Sequence, residues 1–158
     1  MLFILAPLLL LYCACESVVN PSEEITFEGI TETSLDPTPI GSVDPDDWRP
    51  VEECPPHDSG SAETPSCTIL FPAYPNPTHG IFHVRFGLAQ SDSVAIFVQD
   101  KPGHTILTLV HQTLYAGIYT IQISLTGKPE GIYRIYFIRF RADNTAMSYG
   151  DLRLAEHL

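Results

Sequence analysis

From residue 68 onward, apolar and polar residues alternate in short runs cut by turn-forming residues, and a period of two puts every second side chain on one face of a strand. Seven strands are predicted, running roughly from Thr68 to Phe71, Ile81 to Leu88, Ser93 to Gln99, Thr105 to Val110, Ile118 to Leu125, Gly131 to Phe140 and Ala146 to Leu154. The breaks between them are rich in Gly, Pro, Asn, Asp and Ser, among them Pro77-Thr-His-Gly80, Asp100-Lys-Pro-Gly103 and Arg141-Ala-Asp-Asn144. The alternation sets Phe82, Val84, Phe86 and Leu88 on one face with His83 and Arg85 opposite. It does the same for Val94, Ile96 and Val98, for Tyr119, Ile121 and Ile123, and for Tyr133, Ile135 and Phe137 with Arg134 outward. Burying about a dozen such side chains, at roughly 1.5–3 kcal/mol each, is enough to offset chain entropy in one modest domain. The fold class predicted for residues 67–158 is therefore an all-β, seven-stranded antiparallel sandwich.

The first 66 residues follow neither period. Met1 to Tyr12 is an apolar run that stops at Cys13-Ala14-Cys15-Glu16-Ser17. About a dozen apolar residues fall short of the roughly 20 that a membrane-spanning helix needs, so the run reads as the core of an export signal. Ala14-Cys15 resembles the end of a bacterial lipoprotein signal, in which the Cys is acylated and becomes the mature N-terminus. Tyr12 and the absence of Lys or Arg ahead of the apolar run depart from that pattern, and Cys13 is the alternative acceptor. The resemblance implies a leader over 1–15 and a membrane partner reached through a lipid on Cys15.

Residues 16–66 hold thirteen acids against the single base Arg49, whereas 67–158 hold six acids and seven bases, so the formal charge of -11 belongs almost wholly to the earlier segment. Eleven of the fourteen prolines lie between Pro21 and Pro77. Prolines and mutually repelling acids predict a disordered acidic linker over 16–66. Nucleic acid is excluded as a partner, since the linker repels phosphate and the balanced half has no clustered basic stripe. Within the linker, Asp44-Pro-Asp-Asp-Trp48 holds the protein's single Trp. Lacking the Gly turn and distal Glu of a calcium loop, the run reads as a turn that tucks the Trp48 ring onto the folded domain.

Candidate chemistry is sparse. In an exported chain Cys54 and Cys67 are expected to form a disulfide closing a loop of about 14 residues; otherwise they remain two free thiols. His57-Asp-Ser-Gly-Ser61 contains the residue types of a nucleophile site, but a flexible linker cannot hold a base and an acid in register. Apart from His79 and His83 the six histidines show no ligand spacing, so no metal, cofactor or catalytic residue is expected.

Phe71-Pro-Ala-Tyr74-Pro75-Asn76-Pro77, the strand Ile81 to Leu88, Val94 to Asp100 with Gly103, Leu107-Thr-Leu109, Ala116-Gly117 and Gly131-Ile-Tyr133 together resemble the Ig-like domain of the flagellar hook-capping protein. The same pattern is shared by C-terminal sorting domains of type IX secretion. The resemblance implies an Ig-like sandwich without enzymatic activity, whose motif residues are Tyr74, Pro75, Asn76, Pro77, Gly131 and Tyr133. Two functions follow as expectations. One is a lipid-anchored envelope protein presenting the module to a protein or glycan partner; the other is a sorting domain that directs export and surface attachment.

Overall fold

The computed structural model describes residues 26–52, 54 and 65–155. Cys13, Cys15 and His57 to Ser61 lie outside the described residues. Seven strands form: β1 Ile69–Leu70, β2 Ile81–Leu88, β3 Asp92–Gln99, β4 Thr105–Leu114, β5 Gly117–Ser124, β6 Gly131–Phe140 and β7 Thr145–Leu154. There is no helix among the described residues. The strands make a three-stranded sheet, β1-β2-β5, and a four-stranded sheet, β4-β3-β6-β7, with antiparallel pairing throughout. The seven-stranded sandwich expected from the alternation is thus present as a two-sheet, all-antiparallel fold.

The alternation works because the inner phases of the two sheets meet. Phe82, Val84, Phe86 and Leu88 of β2 face Val94, Ile96 and Val98 of β3 and Ile135 and Phe137 of β6, all fully buried. Phe86 anchors the centre, with its ring 5.6 Å from Phe137 and 5.2 Å from Tyr119. Tyr119 and Ile121 are only half-buried, because β5 is an edge strand with a neighbour on one side. β4 runs four residues past its predicted end at Val110, since polar Gln112 and Thr113 still pair with Val94 and Ser93. The Ser93 and Thr113 hydroxyls share a hydrogen bond of 2.7 Å at that extension.

The larger departure is upstream. Residues 26–52, expected to be disordered, lie along the sandwich as an ordered strap. Thr33 bridges to both Pro39 and Asn76, and Thr31, Thr33, Asp44, Asp47 and Trp48 are buried. Composition misjudged the strap because it assembles no core of its own. It donates one large ring and a row of polar groups to a core that other residues build. The expectation for Trp48 holds: the side chain is 7% exposed and joins the hydrophobic core.

Arg134 was expected to face solvent. It does lie on the outer phase of β6, but the strap covers it. Its side chain is 12% exposed, it is paired with Asp151, and its guanidinium sits over the rings of Phe27 and Tyr149. A strand face looks solvated in the sequence only while nothing from elsewhere in the chain packs on it.

Candidate functional site

The motif residues of the resemblance are far apart in sequence, and the fold gathers them on one strand. β7 forms an edge of the four-stranded sheet, and an edge strand leaves a row of backbone N–H and C=O groups without a ladder partner. Here the Tyr74-Pro75-Asn76-Pro77 corner takes the place of that partner. The corner carries cis peptide bonds at Tyr74-Pro75 and Asn76-Pro77. Backbone bonds in both directions between Tyr74 and His83 hold it to β2, and the two rings stack at 5.2 Å.

Asn76, completely buried, then reaches across to β7. Its Nδ2 donates to the Asp151 carbonyl at 2.8 Å and to the Thr31 carbonyl at 2.9 Å, while its Oδ1 accepts from the Arg153 N–H at 3.0 Å. Only a primary amide supplies two donors and an acceptor in one flat group, so the side chain stands in for a peptide unit. Two residues on, the Thr78 N–H donates to the Arg153 carbonyl at 2.9 Å and the Ala155 N–H to the Thr78 carbonyl at 2.8 Å.

The other motif pair holds β7 from the opposite side. Gly131 and Tyr133 of β6 pair with Leu154 and Leu152. Gly131 has φ +147°, a conformation open chiefly to glycine. Tyr133 points its ring into the core and donates its hydroxyl proton to the Pro129 carbonyl at 2.5 Å. Burial raises the Tyr133 pKa above its ordinary value, with a further push from Asp100. In short, the motif is a clamp on the C-terminal end of β7.

The strap completes that clamp further back along the strand. The Trp48 N–H donates to the Tyr149 carbonyl at 2.7 Å, an Asp47 carboxylate oxygen accepts from the Asp151 N–H at 3.1 Å, and the Ser148 hydroxyl donates to the Arg49 carbonyl at 2.5 Å. Trp48 adopts φ +56°, an uncommon left-handed conformation for a bulky residue. Its ring lies so close to Gly150 that a β-carbon there would sit 2.2 Å from the indole.

Two buried ion-pair clusters flank the clamp. In the first, Arg134 holds Asp151 with two bonds, at 2.7 and 2.8 Å, and adds a third to the Thr26 carbonyl at 2.9 Å. Desolvation nevertheless pushes the Asp151 carboxyl above the ordinary range. It pushes Asp47 up to about 7, against the favourable bond from the Asp151 N–H. In the second, Glu52 pairs with Arg139 and, at 3.3 Å, with Arg141, and Arg141 holds Asp92 at 2.6 and 2.8 Å. Burial acts to raise the Glu52 pKa, but the Thr68 N–H and the Arg139 guanidinium outweigh it and hold it below its usual value. The Cys54–Cys67 disulfide fastens the strap just beyond Glu52, with its Cα atoms 5.2 Å apart.

Sequence reasoning placed Cys54 and Cys67 together and put Gly131 and Tyr133 at the start of a strand. It had Asn76 as a residue of the family motif, without its role on β7, and missed the Arg139–Glu52 pair. A signal for that pair exists: Arg139 falls in phase with the inward residues Tyr133, Ile135 and Phe137, and a buried Arg needs a carboxylate. Among the described residues, no group of three or more His, Cys, Asp and Glu side chains is placed to hold a metal ion. His104 makes a 3.3 Å contact with Asp100 on an exposed turn. An open cleft of about 450 Å³ lies between the Asp100-Lys101-Pro102 turn and the Lys128 to Gly131 loop, floored by Ile106, Ile132 and Tyr133.

Residues 72–149 match the family model of a secretion system C-terminal sorting domain. The matched span opens on the residue before Ala73 and Tyr74 and extends to Tyr149, so it takes in the corner and the first half of β7, stopping short of Asp151 and Arg153, which the corner clamps. No curated protein matches the chain, and no solved structure does.

Proposed function

We propose that the sandwich is a type IX secretion sorting module: a non-catalytic recognition domain that directs export of the chain and its association with the cell surface. The match of residues 72–149 to the sorting-domain family carries this reading. The placement of Asn76, Gly131 and Tyr133 supports it, because all three hold one strand in place. A sorting signal that a translocon reads as a folded shape needs a rigid outline, which such a clamp provides.

The test is delivery. The full chain carrying an epitope tag is produced in a bacterium with the type IX system and in its translocon-deficient derivative. Protease added to intact cells is expected to remove the tag only in the first strain, with periplasmic accumulation in the second. Equal surface exposure in both strains overturns the proposal. Acylation at Cys15 is a separate route to the same location, and the mass of the mature N-terminus distinguishes it.

A further inference from the structure

The sandwich has two open sides, and they are treated in opposite ways. On one side the β7 edge is closed by Asn76, Thr78, Asp47 and Trp48, and β1 beside it is only two residues long. On the other side lie β4 and β5, and among the described residues neither has a second neighbour: β4 pairs only with β3, and β5 only with β2. Natural edge strands are commonly blunted by charges, prolines, bulges or covering loops. From Gly103 to Gly127 the chain has no Asp, Glu, Lys, Arg or Pro at all.

The two unguarded edges are not equivalent. β4 is irregular, with register shifts against β3 between Ile96 and Phe97 and between Val98 and Gln99. Such bulges twist an edge out of line for further pairing. β5 keeps unbroken register with β2 from Gly117 against Leu88 to Ser124 against Ile81. It is regular, uncharged and eight residues long. Its exposed side chains are Thr120, Gln122 and Ser124, while Tyr119 and Ile121 are half-buried, and Tyr115 just ahead of it is 83% exposed.

We propose that β5 is a homotypic interface, pairing antiparallel with β5 of a second copy to join the two three-stranded sheets into one of six strands. The charge distribution selects this occupant. A chain of formal charge -11 repels its own copies, and on the opposite edge the strap brings the Asp47 carboxylate onto β7 beside Asp151. The β4 and β5 strands, within the acid-free stretch from Gly103 to Gly127, let a second copy approach without setting carboxylates against carboxylates. A strongly charged partner gains no ion pair there. Antiparallel self-pairing is also isologous, so one two-fold axis near the middle of β5 satisfies both copies and closes the assembly. The inference stands independently of the sorting reading.

Sedimentation velocity of the full chain tests it, in a mild detergent that sequesters the apolar first twelve residues, over a range of protein concentration. A reversible dimer is expected. Thr120→Lys with Gln122→Lys sets like charges across the two-fold axis and is expected to weaken the dimer by about ten-fold or more. Thr108→Lys, at an exposed position on β4, is expected to leave it unchanged. Trp48 emission at the wild-type wavelength verifies that each variant is folded. A chain that stays monomeric at every concentration, or a dimer lost with Thr108→Lys and kept with the β5 pair, overturns the proposal.

Discussion

At the scale of single residues, the side chains that hold this protein together are polar groups replacing missing backbone partners. Asn76→Ala removes three hydrogen bonds at once and strands the buried Thr31 and Asp151 carbonyls together with the part-buried Arg153 N–H. Leaving such groups unpaired costs about 1–3 kcal/mol each, so urea unfolding is expected to show a loss of about 2–5 kcal/mol. Gly150→Ala forces the Trp48 ring from its seat, and a red-shifted Trp emission is the expected signature. Asp47 sets a pH dependence. Its folded pKa of about 7 lies above the ordinary carboxylate value, so the folded state holds a proton that the unfolded state has released. That contribution is complete below about pH 4 and is lost as pH rises through 7. Glu52, held low, acts in the opposite sense and only near its own acidic range. Between pH 5 and 8 stability should therefore fall with rising pH, and Asp47→Asn, which still accepts from the Asp151 N–H, should flatten that slope and stabilise the protein at pH 8. Unfolding midpoints measured across that range provide the check. Neither Asn76 nor Asp47 was legible in the sequence as a structural residue, because each acts on a strand at least 75 positions away.

At the scale of elements, the alternation was informative wherever a strand had one dry face. β2 and β6 begin and end where the pattern predicts, since both are central strands whose inner phases are apolar except for Arg139. The end of β4 and the shallow burial of β5 were less legible, because an edge strand shows its polar residues to water on more than one side. The strap was illegible for a related reason: its order depends on β7 and leaves no period of its own. Its fastening is testable. Replacing Cys54 and Cys67 by Ser releases a closed loop of about 14 residues and is expected to lower stability by ~3 kcal/mol in the entropic account of cross-linking. The loss should concentrate in the strap, read as faster amide exchange at Thr31, Thr33 and Trp48 than in β2 or β3. Uniformly faster exchange instead means that the disulfide supports the sandwich as a whole.

At the scale of the whole molecule, what the sequence presents as a leash and a domain is, over the described residues from 26 onward, one packed body. Removing residues 26–52 uncovers Arg134 and Asp151, empties the Trp48 seat over Gly150 and bares part of the β7 edge. The shortened chain is expected to aggregate at concentrations where the full chain remains dispersed, which light scattering will register. The reach of these contacts has a consequence for timing. Thr26 bonds to Arg134, Asp47 to Asp151 and Arg49 to Ser148, across 108, 104 and 99 positions of chain. A ribosome must therefore extrude the chain through β7 before that strand can be clasped by the strap, and until then this part of the nascent chain cannot lock shut. Under the proposed sorting role that delay is useful: threading through a membrane ends before the structure closes.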